Sequence, residues 1–580
     1  MKKINCKRLA LGLSLFLLSC SDMLDETPRS VLTPDFFATQ QGLEAGLNAV
    51  YAGLRNHFYG GGITGTDEFT LTDAVNATEA CTNTYDILLN SVNGAGGTWS
   101  AFTFINTCNG IIEKGAEVTD ISANRARTLF AETKFLRALY YFLLVQTYGP
   151  VPLDLGTGNL AFNSTPSTLS VRNSVAEVYD VILTDLREAL ADLPDKRAQK
   201  GRADKASALH FLAKAHLTRA GHRDAAQAND YADAFTYADE LIRNRAQYGK
   251  ELQPEYALVH LEGHEDDAET VFNVQCTHDY EFGESNGPVV AAANAMNYVF
   301  TAGYENVKID GVQVVPRCIE YQRPWRMYTP TPWLIFDAFD GRETDSRWDG
   351  SFRMMWQCRA SLENGTGAAD VAKLADYGML YGDTAILLIL TDEIPPAYQG
   401  KKYVIYTPSQ FYQNSTTQYM YPNLTKYDDT KRLQMNEYSM RPVFIARLAE
   451  TYLIAAEALM MQGRRQDALT YINTVRHRAA RRAGMTDSQL AAAVSKMTVT
   501  DPDALTVDFI LDERTREMCG EGWRWFDLTR TGKLVERVRL YNKDGSPNIQ
   551  DFHTLRPIPQ TQLDLMSDEA QRAVYQNPGY

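Results

Sequence analysis

Apolar residues recur at three- and four-residue intervals in many stretches of the chain, which is the spacing of one face of an α-helix. In the N-terminal half this pattern predicts helices over 36–57, 99–112, 129–144, 175–193, 206–220 and 231–242. Downstream, one helix face is formed by Phe444, Leu448, Tyr452, Ala455 and Leu459, and a turn at Gly463 leads into the next helix. The pattern predicts a mainly α protein.

The predicted helices fall into pairs, similar to degenerate TPR repeats of about 34 residues that fold as helix–turn–helix units. Small residues such as Ala208, Ala213 and Ala458 would allow close approach of the two helices in a pair. Three pairs are predicted at roughly 124–193, 202–245 and 443–483, and a helix near 505–531 would pair with an N-terminal segment.

The pattern changes between residues 246 and 440, where helical periodicity weakens and Gly, Pro, Asn, Thr and Tyr become frequent. Short strands are predicted at 270–275, 386–390 and 402–406. Loops on a rigid frame are where binding residues tend to lie. We therefore predict that this loop-rich insertion carries the ligand-binding function.

The N-terminus reads as an export signal, because Lys2, Lys3, Lys7 and Arg8 precede a short apolar stretch that ends at Ser19-Cys20. The apolar stretch is too short to span a bilayer, which takes about 20 residues. Leu17-Leu18-Ser19-Cys20 resembles a bacterial lipobox, so we expect cleavage before Cys20 and lipidation of Cys20. The alternative is an ordinary signal peptide followed by a chance cysteine. Acidic residues behind Cys20 resemble a surface-export signal of Bacteroidota lipoproteins.

Charge and cysteine content narrow the class of protein. The formal net charge of −15 disfavours nucleic acid as a partner. The chain has eight cysteines, and the six after Cys20 are scattered without a CxxC pair, which indicates neither a zinc site nor a dense disulfide framework. One or two disulfides are allowed in an exported protein, but the sequence does not pair them.

Familiar catalytic motifs are absent from the sequence, including a phosphate-binding GxxxxGK[ST] loop, HExxH and GxSxG. An acidic cluster at 264–267 offers oxygen ligands for calcium, but it lacks the spacing of a calcium loop, and we interpret it as a solvated loop. We expect no metal, no cofactor and no catalytic residues. A surface glycosidase remains the least favoured alternative, because the sequence nominates no carboxylate pair.

Seven sequence blocks, in order, resemble the SusD/RagB family of outer-membrane nutrient-binding lipoproteins. The most distinctive is Glu513-Arg514-Thr515-Arg516-Glu517 followed by Glu521-Gly522-Trp523-Arg524-Trp525-Phe526-Asp527-Leu528. The other blocks fall at 34–51, 137–153, 179–203, 447–458, 473–479 and 556–580. In the most distinctive block the charges recur at three- and four-residue steps, so we predict a structural ion network there.

The resemblance implies a SusD-like fold and a glycan-binding lipoprotein on the outer face of the outer membrane. It implies delivery of the glycan to a SusC-type TonB-dependent transporter. A peptide ligand, as in RagB-type relatives, or a TPR-type protein scaffold are the alternatives. The predicted organisation is a signal peptide at 1–19, a lipidated tether at 20–35, a helical region at 36–245, the loop-rich region at 246–440 and a second helical region at 441–580.

In the resembled family, ligand contacts come from two loop zones, and both zones of this chain mix aromatic and polar residues. Aromatic rings cover the apolar faces of sugars, while polar side chains bind hydroxyl groups. For each aromatic, ordinary packing in the core or in a loop is the competing interpretation. The candidate ligand-binding residues are Asp73, Asn76, Asn83 and Tyr85 in the first zone and Phe282, Tyr298, Tyr321, Arg323 and Trp325 in the second.

Overall fold

The computed structural model describes residues 34–58, 62–94, 97–153, 161–163, 170–277, 294–359, 375–376, 378–411 and 420–580. Cys20 and Phe282 lie outside these residues. Helices dominate the N-terminal part: α1 Gln40–Gly53, α2 Ala77–Thr84, α3 Ala101–Gly115, α4 Ala123–Tyr148, α5 Val175–Asp192, α6 Lys205–Ala220 and α7 Asp230–Arg243. The loop-rich part has short helices: α8 Met296–Val299, α9 Pro332–Phe336, α10 Ser346–Ser351 and α11 Pro408–Phe411.

Helices return in the C-terminal part of the chain: α12 Leu448–Met461, α13 Arg465–Ala479, α14 Asp487–Met497, α15 Val507–Met518, α16 Arg524–Arg530, α17 Leu534–Tyr541, α18 Gln560–Asp564 and α19 Glu569–Tyr575. Helices α4 and α5, α6 and α7, and α12 and α13 pack as pairs, and α7 also packs on α12. The structure therefore confirms the predicted mainly α fold. Among the described residues, no helix is long and apolar enough to cross a membrane.

Local sequence signals fix the ends of the paired helices. Ser174 and Glu177 form a capping box at the start of α5, where each side chain bonds the main chain of the other. Helix α4 ends at Gly149, whose φ of 72° lies in the left-handed region that glycine tolerates. Arg137 of α4 holds Asp185 of α5 through a bidentate ion pair at 2.7 and 2.8 Å. Capping and this buried pair set the register of the two helices.

Short strands occur mostly in the loop-rich part: β1 Phe69–Leu71, β2 Thr270–Val274, β3 Lys308–Ile309, β4 Val312–Gln313, β5 Tyr328–Pro330, β6 Phe352–Arg353, β7 Met355–Gln357, β8 Thr384–Leu388, β9 Val404–Tyr406, β10 Asn423–Leu424 and β11 Val443–Arg447. Strands β7, β8 and β9 form one sheet, and the others pair two by two as β1–β5, β6–β10, β2–β11 and β3–β4. The strands predicted near 270–275, 386–390 and 402–406 correspond to β2, β8 and β9.

One predicted helix begins later than its apolar spacing suggests. Phe444 belongs to β11, which pairs antiparallel with β2, and α12 begins at Leu448. Every residue of β11 is buried, and Val443, Phe444 and Ile445 are types that favour strands. A strand that is buried on both faces has no alternation of apolar and polar residues. Periodicity alone therefore does not distinguish it from the first turn of the following helix.

The charged block near residue 513 does form a structural network, but most of its bonds cross between elements instead of running along one helix. Arg447 at the end of β11 binds Glu269, Glu517 and Glu521 at 2.8–3.0 Å. Within α15, Glu513 and Arg516 pair at a three-residue step. We call the following residues the buried ion network: Arg347, Lys426, Arg447 and Arg478 with Glu269, Glu513, Glu517 and Glu521.

Candidate functional site

Strand pairing brings the two predicted ligand zones together. Strand β1 pairs with β5 in the register Phe69 with Pro330 and Leu71 with Tyr328. Just beyond β1, the Thr72 main-chain N–H donates to Met327 O at 3.0 Å, and the Thr72 hydroxyl donates to Arg326 O. The loop that carries Asp73 therefore lies against the loop that carries Trp325.

Three aromatic side chains from separate segments meet at this place. We call Tyr298, Trp325 and Tyr438 the aromatic cluster. Their ring centroids lie 5.3 Å apart for Tyr298 and Trp325, 5.6 Å for Tyr298 and Tyr438, and 5.8 Å for Trp325 and Tyr438. The rings are tilted or edge-to-face, which is a favourable geometry for aromatic pairs. Tyr298 is fully buried, whereas Trp325 and Tyr438 are half-buried, so two members of the cluster reach the surface.

The backbone around Trp325 is bent at both ends. Gln322 has a φ of 66° and Arg326 a φ of 57°, in the left-handed region that costs energy for residues other than glycine. Main-chain bonds hold the bent loop on α8, since Trp325 N–H donates to Tyr298 O and Met327 N–H donates to Val299 O. Strained backbone that the surrounding structure enforces is found preferentially at functional sites.

Arg432 ties the segments of the aromatic cluster to one another. Its Nη1 donates to the Tyr298 hydroxyl at 2.9 Å and to Glu437 O at 3.0 Å, beside Tyr438. Its Nη2 donates to Gln322 Oε1 at 2.8 Å, next to Arg323. The Tyr298 hydroxyl in turn donates to Glu437 O. Burial raises the pKa of Tyr298 to about 12, so this phenol is neutral.

A second guanidinium faces the cluster from the solvent side. Arg323 is half-buried, and its Cζ lies 5.9 Å from the ring centroid of Tyr298 and 5.8 Å from that of Trp325. Such cation–π contacts are worth about 0.5–1 kcal/mol at exposed positions. Flat aromatic rings therefore stand next to a charged hydrogen-bond donor.

Carboxylates of the same loop are already occupied. Glu437 Oε2 accepts the main-chain N–H groups of Leu433 and Gln434 at 2.8 and 3.2 Å. Asp429 accepts the Ser439 hydroxyl at 2.7 Å. Both carboxylates fasten the loop, and the arrangement as a whole is suited to binding.

Family models match two parts of the chain. A model described as "SusD family" matches residues 296–580, and one described as "Starch-binding associating with outer membrane" matches residues 22–217. The chain belongs to the SusD/RagB family. The first of these matches contains the whole aromatic cluster.

Individual members of the SusD/RagB family resemble the chain over most of its length. SusD-like protein P2 of Formosa agariphila is 25% identical, with 98% of each chain aligned. The starch-binding protein SusD of Bacteroides thetaiotaomicron is 25% identical over 82% of this chain and 76% of its own. A laminarin-binding SusD-like protein of known structure has a TM-score of 0.63 at 23% identity and covers 93% of this chain and 100% of its own.

Some of the ligand-binding candidates predicted from the sequence lie away from the aromatic cluster. Asn83 is buried, its Oδ1 accepts Gly65 N–H at 2.9 Å, and its Nδ2 donates to Thr70 Oγ1 at 2.9 Å. Tyr85 is also buried and donates to Gly65 O. Both therefore support the fold around β1 and have no surface for a ligand, which corrects their place among the candidates.

Two further candidates from the first zone are exposed. Asp73 lies directly after Thr72 and thus beside the Trp325 loop. Asn76 is the N-cap of α2, where its side chain accepts Glu79 N–H at 3.0 Å. Asp73 remains close to the candidate site, while the amide of Asn76 has a structural role in capping.

Tyr321 belongs to a different part of the loop region. Its hydroxyl accepts Gln357 N–H at 2.9 Å, and its ring packs with the hydrophobic cluster around the β7–β8–β9 sheet. The guanidinium of Arg353 lies over this ring, with Cζ 4.9 Å from the centroid. The positive φ of Gln322 turns the chain between Tyr321 and Arg323, so neighbours in sequence face different surroundings.

The sequence prediction omitted Tyr438 and Arg432. Both lie in the last loop before β11, inside the predicted loop-rich region, but neither follows a periodic pattern. The one available signal was an aromatic residue in a polar segment. Candidates Tyr298, Arg323 and Trp325 do come together.

The acidic segment at 264–267 is engaged in hydrogen bonds and ion pairs. Glu265 pairs with Arg441 at 2.5 Å, Asp266 with Lys200 at 3.1 Å, and His264 with Asp267 at 2.6 Å. Within the described ranges, no group of three or more His, Cys, Asp or Glu residues is arranged to hold a metal ion. Six described cysteines are free thiols: Cys81, Cys108, Cys276, Cys318, Cys358 and Cys519.

Proposed function

We propose that this protein captures a glycan at the aromatic cluster and passes it to a SusC-type TonB-dependent transporter in the outer membrane. The observation that carries the proposal is the meeting of Tyr298, Trp325 and Tyr438 beside Arg323. Apolar sugar faces stack on aromatic rings, and guanidinium donors bind the oxygen atoms at the sugar rim. No catalytic step is part of the proposal.

The relatives support a glycan as ligand. One is named a starch-binding protein, another a laminarin-binding protein, and a third, surface glycan-binding protein A of Bacteroides thetaiotaomicron, has a structure in complex with laminarihexaose. That third structure has a TM-score of 0.59 at 19% identity and covers 93% of this chain and 99% of its own. The similarity between that structure and this chain concerns the fold alone. The argument for sugar binding rests on the aromatic cluster of this chain.

Membrane attachment is proposed to occur through lipid on Cys20, with the protein facing the exterior. The support is the lipobox-like sequence and the match to a family described as associating with the outer membrane. Cys20→Ala should abolish incorporation of labelled fatty acid and release the protein from membranes, while Cys6→Ala, inside the signal, should change neither. Continued labelling of Cys20→Ala would contradict the anchor.

Calorimetry with a panel of plant, algal, host and microbial oligosaccharides tests the binding site. Trp325→Ala and Tyr438→Ala should each weaken binding of the selected oligosaccharide about tenfold or more, as for central aromatic contacts in other interfaces. Tyr381→Ala is the matched control, because Tyr381 is 60% exposed and lies outside the cluster. Unchanged binding in Trp325→Ala would refute the site, and release of new reducing ends would favour a glycosidase.

A further inference from the structure

In the part of the chain that the structure describes, buried arginines and lysines are paired with carboxylates, with one exception. Among the described residues, eight of nine buried arginines have a carboxylate oxygen within 4.0 Å, and all three buried lysines do as well. Arg432 is the exception. The paired arginines are Arg137, Arg219, Arg347, Arg447, Arg478, Arg514, Arg524 and Arg537.

Neutral acceptors surround the Arg432 guanidinium. Four are main-chain carbonyl groups, those of Ile319, Asp429, Met435 and Glu437, at 2.8–3.3 Å. The other two are the Tyr298 hydroxyl and the Gln322 side chain. Each N–H group is thereby satisfied, but none of these acceptors carries a negative charge.

A nearby carboxylate does not change this balance. Asp428 feels the charge of Arg432, but it is bound by Arg353 at 2.5 Å and also interacts with Arg441. Arg441 has a carboxylate partner of its own in Glu265, at 2.5 Å, so Arg353 and Arg432 remain as the two guanidinium groups near Asp428. Removing a charge from water is unfavourable unless a counter-charge compensates, and the described protein supplies none in contact with Arg432.

The same imbalance continues at the surface. Arg323 has no carboxylate within 4.0 Å among the described residues and contacts the rings of Tyr298 and Trp325. In a chain of net charge −15, two guanidinium groups with no contacting carboxylate in the described part of the chain therefore converge on one aromatic cluster. The Cζ atom of Arg432 lies 5.3 Å from the ring centroid of Tyr298. Arg323 is half-exposed.

We infer that the glycan bound at the aromatic cluster is acidic, carrying a carboxylate or a sulfate ester that pairs with Arg323 in the field of Arg432. The inference rests on the proposed function. Carboxylate and sulfate oxygens match the planar donors of arginine, and a charged ligand supplies the counter-charge that the cluster lacks. A neutral sugar would leave both guanidinium groups uncompensated.

A glycan array followed by calorimetry on the full mature chain tests the inference. The array contains starch, laminarin and xyloglucan as neutral probes, and oligogalacturonide, alginate, sulfated galactan and chondroitin sulfate as acidic probes. The strongest acidic oligosaccharide is then compared with its own carboxyl-reduced or desulfated form. These two arms separate a carboxylate from a sulfate as the recognised group.

We expect the acidic form to bind at least about tenfold more tightly than its neutral counterpart, because hydrogen bonds to charged groups are the stronger class. Arg323→Gln should bring the two forms to within about threefold, whereas Arg323→Lys, which keeps the charge but loses the planar donors, should retain only part of the preference. Raising NaCl from about 0.05 to about 0.5 M should weaken binding of the acidic form only.

Arg464→Gln is the matched control, because Arg464 is an exposed arginine that lies over Phe235 far from the cluster in sequence. It removes the same charge from the protein and should leave the preference unchanged. Strongest binding to a neutral glycan, or equal binding of the acidic and neutral forms, would overturn the inference and leave the proposed function standing. Binding to no glycan on the array would overturn the proposed function as well.

Discussion

Two regions of this molecule handle buried arginines in opposite ways. In the buried ion network, Arg447 contacts three carboxylates and Arg347 contacts Asp345, Glu513 and Glu517. At the aromatic cluster, Arg432 is surrounded by neutral acceptors. The network joins α10, α13, α15 and β11 into one frame, whereas the cluster joins loops next to a surface.

In the network, carboxylates balance the arginine charges and hold the fold together, whereas we propose that a ligand supplies the balancing charge at the cluster. Strongly perturbed ionisable groups are common at functional sites, but structural networks perturb them equally. Here the perturbed carboxylates Glu513, Glu517 and Glu521 all have arginine or lysine partners and lie away from solvent. If the proposed site is right, the lack of a contacting carboxylate among the described residues is a better guide to function in this protein than a shifted pKa.

The largest expected effect comes from breaking the network. Arg447→Met should lower the free energy of unfolding by about 3–5 kcal/mol, because it removes the one positive charge that contacts all three of Glu269, Glu517 and Glu521 among the described residues. Urea denaturation followed by circular dichroism measures the loss. Arg464→Met, at an exposed position, should change stability by less than about 0.5 kcal/mol. A comparable loss of stability in both variants would contradict the expectation that the buried ion network contributes more to folding than an exposed arginine does.

The second-largest expected effect is a loss of folding stability at low pH. Burial by itself would raise the pKa of Glu517, but Arg478, Arg447 and Arg347 outweigh burial and lower the pKa from 4.5 to about 2. The unfolded chain takes up the proton first, so this stabilisation is complete above about pH 4.5 and is lost as pH falls toward about 2. The lost amount is about 3 kcal/mol.

Denaturation at a series of pH values between about 2 and 7 checks this expectation, because that range includes both the ordinary pKa of 4.5 and the lowered pKa of Glu517. Glu517→Gln should be less stable at neutral pH and should show a flatter acid limb than the unmodified protein. An acid limb of unchanged slope in Glu517→Gln would assign the acid sensitivity to other groups.

A smaller loss of stability is expected at the cluster. Arg432→Met leaves neutral carbonyl groups without a donor but strands no buried carboxylate, so the loss should be about 1–3 kcal/mol. Glycan binding should nevertheless disappear, because the segments that carry Tyr298 and Tyr438 lose their common donor. If Arg432→Met destabilised the protein more than Arg447→Met, the contrast between the two regions would fail.

The smallest effect is expected at Asn76. Asn76→Ala removes the N-cap of α2 and should cost about 1 kcal/mol, whereas Asn76→Asp keeps an acceptor and should cost little. Calorimetry should show less than a twofold change in glycan affinity in both variants. A loss of affinity in Asn76→Asp at unchanged stability would extend the binding surface into the first loop zone.

Much of the frame could be predicted because helix pairs repeat an apolar period locally. The bounds of α5 follow from spacing and a capping box within the same segment, and those of α7 follow from spacing. The start of β11 could not be predicted in this way, because its pairing partner β2 lies far upstream in sequence. Strand formation there depends on a tertiary contact that local periodicity does not contain.

The candidate site was predictable as a zone and only partly as residues. Tyr298, Arg323 and Trp325 come from one aromatic-rich stretch, and composition is sufficient to indicate it. Arg432 bonds Gln322 and Tyr298 across 110 and 134 residues, a distance over which a single sequence gives no pairing information. Asn83 and Tyr85 are polar residues in a polar segment, so their burial depended on packing that only the structure reveals.

The acceptors around Arg432 also bear on how this surface can change. Four of the six are main-chain carbonyl groups, which every amino acid provides. The other two are the side chains of Tyr298 and Gln322, so no acceptor belongs to the side chain at position 323, 325 or 438. Those three positions can therefore vary while the bonds to Arg432 stay in place. Engineering a new sugar preference should keep Arg432 fixed and randomise those three positions.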